Sequence, residues 1–103
     1  MTDTQLEGLT RAALEIVTHD RNSQYGEPED SFAVIADLWT GYLTARQKQY
    51  EDGIMPPLTA EDVARMMELL KMGRRMTAKK PSADSYIDAM GYVLCEARMQ
   101  DAE

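Results

Sequence analysis

The sequence predicts an all-α fold, a compact antiparallel bundle of about four helices in one domain of 103 residues. Three observations carry this. Apolar residues recur at three- and four-residue spacing in four segments. Start or stop chemistry punctuates the segments. No run of alternating β-branched residues marks a strand.

The first segment runs from about Thr4 to Asp20, with Leu6, Leu9, Ala13, Ile16 and Val17 in one stripe. The polar cluster Arg21-Asn22-Ser23-Gln24-Tyr25-Gly26 ends it. The second starts at Glu27-Pro28-Glu29-Asp30, where proline suits a first helical position and acids complement the helix dipole. Phe32, Ile35, Trp39, Tyr42 and Leu43 form its expected inner face, to about Lys48. A loop follows, holding Gly53 and Pro56-Pro57, a pair that cannot sit inside a helix. Thr59-Ala60-Glu61-Asp62 is a capping-box pattern opening the third helix. Val63, Met66, Met67, Leu70 and the stem of Lys71 follow at helical spacing, and Gly73 weakens the end near Met76. The fourth runs from Lys80-Pro81-Ser82 to about Met99, with Tyr86, Ile87, Met90, Leu94 and Ala97 as its expected buried face.

The formal net charge of −7 argues against broad nucleic-acid or anionic-membrane binding, since both need a basic surface. The charge is uneven. Residues 1–40 hold eight acids and two bases, residues 41–80 five acids and eight bases, and residues 81–103 five acids and one base. The third helix and the stretch after it are a basic island: Arg65, Lys71, Arg74, Arg75, Lys79 and Lys80. No apolar stretch approaches the roughly 20 residues that span a bilayer, and no signal peptide is visible, so a cytoplasmic location is expected. Cys95 is the only cysteine and is expected to pack as a small hydrophobe. Eight methionines, four of them on the third helix, form stripes too wide for one neighbour, which points to a homodimer.

Asp84 and Asp88 lie one turn apart on one face of the fourth helix. Their repulsion calls for an offset, either Lys71 or Arg74 from the third helix or a divalent cation such as Mg²⁺. Lys71 shares a turn with Leu70, so its stem is partly buried. Such a lysine needs an acidic partner or an anionic ligand. The basic residues are therefore either an internal ion-pair network or a phosphate or carboxylate site. Tyr25-Gly26 precedes a helix N-terminus, as a structural turn or as backbone donors for an anion. Trp39 with Tyr42 is core or the wall of a base-stacking pocket. Glu61 and Glu68 are surface acids or extra ligands. The Glu15/His19 pair is too sparse to define a metal site.

Arg21-Asn22-Ser23-Gln24-Tyr25-Gly26-Glu27-Pro28 through Leu38-Trp39, Met67-Glu68-Leu69-Leu70-Lys71 through Arg74, and Asp84 through Gly91-Tyr92 resemble a small phage and prophage family of unknown function. The match covers roughly residues 20–95. More loosely, the chain is similar to MazG-like all-α nucleotide pyrophosphohydrolases. That similarity implies Asp84 and Asp88 as Mg²⁺ ligands, and Lys71 and Arg74 as phosphate contacts. The pocket it implies is walled by Tyr25, Trp39 or Tyr92. The Glu-x-x-Glu motif of those enzymes is missing from the earlier helix. Two functions follow as expectations. One is nucleotide handling, with Mg²⁺ as cofactor. The other is a non-enzymatic accessory role, binding a host protein through an acidic surface.

Overall fold

The computed structural model describes residues 1–20, 27–80 and 82–100, with side chains described except at 19 and 20. It holds four α-helices and, among these residues, no strand. Helix α1 (Asp3–Glu15) is capped by Thr2, whose hydroxyl accepts from the Gln5 N–H while the Gln5 side chain accepts from the Thr2 N–H. It continues into a π-helical stretch, Ile16–Asp20. Helix α2 (Pro28–Gln47) begins on its proline. Helix α3 (Ala60–Thr77) opens on the Thr59/Asp62 capping box. Helix α4 spans Ala83–Gln100. The boundaries of α2 and α3 follow the sequence patterns to within a residue or two, whereas the expected first helix turns π-helical after Glu15 and the fourth begins at Ala83 rather than near Lys80.

The α2–α3 loop is built from its own polar groups. Gly53 turns at φ +70°, where a side chain would clash with the backbone. The Asp52 carboxylate accepts from the Ile54 N–H at 2.9 Å, and Gln47 Nε2 donates to the Gly53 carbonyl at 2.7 Å. Arg46 donates from Nη1 to the Pro56 carbonyl and from Nη2 to that of Pro57.

Helix α3 is the centre. It packs against α2 on one side and α4 on the other, while α2 and α4 do not meet among the described residues. Both packings are antiparallel. From α2 to α3, Ile35 meets Gly73, Trp39 meets Met66 and Tyr42 meets Asp62. From α3 to α4, Arg65 meets Glu96, Lys71 meets Asp88 and Arg75 meets Ser85. Two neighbours explain why the apolar stripes of α3 are wider than one partner requires.

Several expected core positions are not buried. Phe32, Val63, Tyr86, Ile87, Met90 and Leu94 are all exposed. The correction is clearest on α4. Its face toward α3 carries Ser85, Ala89, Tyr92 and Glu96, which are buried or half-buried. At 100° per residue, Ile87, Met90 and Leu94 then point the opposite way. The reason is that this face of α4 is held by small residues, Ser85 and Ala89, and by polar contacts, Asp88 to Lys71 and Glu96 to Arg65. Helix α1 touches none of the other three helices among the described residues, and Leu6, Leu9, Ile16 and Val17 are exposed. The radius of gyration is 17.2 Å, against about 13 Å for a compact chain of this length.

Gly73 does more than weaken a helix end. A Cβ there would lie 2.6 Å from Ile35 Cγ1, so glycine sets the α2–α3 distance. Gly73→Ala should lower unfolding free energy by about 1–3 kcal/mol through overpacking, despite alanine's better helix propensity. Denaturant titration in an Ile35→Ala background should recover part of that loss, because the colliding methylene is gone.

Candidate functional site

Two polar clusters bind the helices together. The first surrounds Asp62, whose side chain is 2% exposed. Its Oδ2 accepts from the Thr59 N–H at 2.7 Å and from the Thr59 hydroxyl at 2.9 Å. Its Oδ1 accepts from the Tyr42 hydroxyl at 2.5 Å and lies 3.0 Å from Arg46 Nε. Arg65 Nη1 donates to Tyr42 Oη at 3.2 Å, and Arg65 Nε pairs with Glu96 at 2.9 Å. One carboxylate thus joins α2, the loop end and α3, and through Arg65 reaches α4.

Burial alone would raise the Asp62 pKa. The hydrogen bonds from Tyr42 and Thr59 and the charge of Arg46 outweigh that and hold it at about 2, against an ordinary 3.8. Burial, partly offset by the Arg65 hydrogen bond, pushes the Tyr42 hydroxyl up. Both Asp62 oxygens are answered from within the protein, which ties three helices together. The sequence marks Asp62 as a capping residue but not its partners Tyr42, Arg46 and Arg65, nor Glu96 on the far side of Arg65. The cap is a local pattern, and the partners come from other helices.

The second cluster lies further along the α3–α4 seam. Lys71 Nζ is 2.9 Å from Asp88 Oδ2. The lysine side chain is only 12% exposed and the aspartate 46%. Asp88 borders an open concavity of about 380 Å³ with Ile87, Gly91, Tyr92 and Cys95. Arg74, one turn beyond Lys71, is half-buried and engaged with a partner. Asp84 is exposed, one turn before Asp88. Cys95 is exposed on this rim rather than packed inside, because it lies on the flank of α4 and not on the face toward α3. Nearby, the Arg75 guanidinium stacks 5.1 Å over the Tyr86 ring and donates to the Ser85 carbonyl at 3.5 Å.

Among the residues singled out from sequence, the structure brings together Lys71 and Asp88, with Tyr92 on the same rim. Trp39 lies elsewhere. Its Nε1 donates to the Met66 carbonyl at 2.6 Å, and its ring lines a separate apolar groove with Phe32, Ile35, Ala36 and Leu70. Tyr25 and Gly26 lie outside the described residues, as does the His19 side chain. Among the described residues, no three of His, Cys, Asp or Glu come together in a way that could hold a metal ion.

Fold and site define an all-α chain with a lysine–carboxylate pair whose aspartate borders a shallow concavity. The chain belongs to the DUF6378 family, a domain of unknown function, whose model matches residues 8–100. It is also similar to the Gene 55 protein of Mycobacterium phage D29, with 32% identity over 95 residues. That alignment covers 92% of this chain and 55% of the phage protein, so this chain spans about half the length of its relative. No solved structure matches. The expected membership in a phage-associated family of unknown function is borne out. No helix among the described residues is long and apolar enough to cross a membrane.

The Asp62 cluster makes stability depend on acid. A carboxyl with a depressed folded-state pKa stabilises fully above its unfolded pKa, and that contribution is lost as pH falls through the folded value. Between about pH 5 and pH 2, Asp62 should contribute a loss of about 2 kcal/mol. Chemical denaturation across that range should show a flatter acid limb for Asp62→Asn, on top of its lower stability at neutral pH.

Proposed function

We propose that this chain binds a nucleotide at the α3–α4 seam beside Asp88, with Mg²⁺, as a nucleotide-handling protein of a phage. The Lys71–Asp88 pair supports this best. A cation that is nearly buried faces a carboxylate that is half open to solvent, on the rim of a concavity. Such a pair can exchange partners without leaving a charge bare: a phosphate takes Lys71 while a divalent cation takes Asp88. Mg²⁺ commonly uses one or two carboxylates and fills its remaining positions with phosphate oxygens and water. Here Asp88 would hold it, and Asp84 is the other carboxylate within a turn. Arg74 lies on the same side of α3 for further phosphate oxygens. The half-buried Tyr92 offers a ring for a base. The activity class suggested by the MazG-like similarity is hydrolysis of a nucleoside triphosphate to the monophosphate and pyrophosphate. The host-cell cytoplasm is where those nucleotides are.

A thermal-shift screen of nucleoside triphosphates with and without Mg²⁺ tests the proposal. At 100-fold saturation one of them should stabilise the chain by about 2.7 kcal/mol, roughly ten degrees in Tm. The gain should need Mg²⁺, vanish in Asp88→Asn and shrink in Lys71→Met. Pyrophosphate release then separates an enzyme from a binding protein. Absence of any metal-dependent shift overturns the proposal.

A second reading is a non-enzymatic accessory protein that binds a host protein through an acidic surface. Glu27, Glu29, Asp30 and Asp37 favour it: all are exposed along α2 and its cap, and none is in an ion pair among the described residues. It gains ground if no nucleotide binds and if neutralising Asp30 and Asp37 abolishes capture of a host protein.

A further inference from the structure

We infer that the outward face of α4 is the interface with a second copy of this chain, the two α4 helices crossing antiparallel about a two-fold axis near Met90 and Gly91. The exposed surface leaves room for a partner. The chain exposes 7633 Å², whereas a compact monomer of 11.6 kDa exposes about 5,800 Å². The surplus of about 1,800 Å² is shared by α1, which packs on none of the other helices among the described residues, and by the outward face of α4, and it is within what a homodimer buries on each side. Among the described residues the buried apolar side chains are Ile35 and Ala64, a thin core for a chain of this size.

The face itself says which partner. Ile87, Met90 and Leu94 are 59%, 60% and 70% exposed, in one row opposite the side packed on α3. Ile87 and Leu94 are equally far from the midpoint between Met90 and Gly91. An antiparallel copy therefore sets Ile87 against Leu94 of the second copy, twice. Gly91 has open space around its Cα, so the helices can approach closely at the axis. The same operation sets Asp84 near Arg98 of the second copy. Both residues are exposed, on the outward side of α4, and neither has an ion pair within its own chain among the described residues. A row that is apolar at the centre and oppositely charged at its two ends is self-complementary under a two-fold, and an unrelated partner would have no reason to match it.

The dimer is argued independently of the nucleotide proposal but meets it at Asp84 and along one edge of the concavity, where Ile87 and Gly91 belong to both. It gives Asp84 to the interface and leaves Asp88 for the cation. The two are separable because one is read as mass and the other as a ligand-dependent Tm.

Sedimentation equilibrium on the full chain should give about 23 kDa at micromolar concentration, twice the chain mass. Leu94→Glu should shift it toward 11.6 kDa by weakening association at least 100-fold, while far-UV circular dichroism follows helix content. Because Leu94→Glu could also unfold a chain that depends on its partner, a charge reversal provides the second test. Asp84→Arg and Arg98→Asp should each promote dissociation, and the double variant should restore the dimer. A monomeric wild type, or a dimer indifferent to all these changes, overturns the inference. So does a chain that associates only with a different protein.

Discussion

The buried carboxylate of Asp62 is the constraint on which the arrangement of α2, α3 and α4 depends. A lone charge in that place would cost several kcal/mol. It is tolerated because Thr59, Tyr42 and Arg46 answer its oxygens at once. The cluster matters less for how deep the folded minimum is than for which minimum it is. A slide of α2 by one turn along α3 would leave Asp62 buried without Tyr42 and Arg46. A slide of α4 would strand Arg65 from Glu96. Neither slip has a neutral alternative, so helix register is set by polar groups where the apolar core is thin.

That thinness has a physical origin. Helix α3 is most deeply buried at small or polar residues, while Met66, Met67, Leu69 and Leu70 are only half-buried. Gly73 and Ala64 let backbones approach, and Ser31 and Ser85 are buried on the helices beside it. Close approach gains dispersion contact but leaves the long apolar side chains with nowhere to go inside. They are displaced to the groove around Trp39 and to the far side of α4. The ligand-binding candidate sits at the remaining weak point, where Lys71 is nearly buried and its partner Asp88 is not.

Helix identity and helix ends were legible in the sequence because they rest on local chemistry. Thr59 and Asp62 are three residues apart, Pro28 opens a helix by its own ring, and Pro56-Pro57 forbids one. The choice of buried face was not legible on α4. Apolar periodicity marks a stripe that must be covered, without saying by what, so Ile87, Met90 and Leu94 read as core when they face out. The candidate site was half legible. Partial burial of Lys71 follows from sharing a turn with Leu70, and its need for an acid follows from that. That the acid is Asp88 depends on the crossing of α3 and α4. Trp39 illustrates the opposite failure: the residue type suits a ligand pocket, but its indole N–H is committed to the Met66 carbonyl.

The three-way grip of Arg46 carries one more consequence. Its guanidinium holds Asp62 and the carbonyls of Pro56 and Pro57 together. The connection between α2 and α3 is therefore not an independent tether hung between two finished helices. It opens only when the charge cluster opens, so the loop inherits the cooperativity of the helices it joins. A protease should find residues 55–58 almost as well guarded as a helix, although they lie at the surface and have no regular structure of their own.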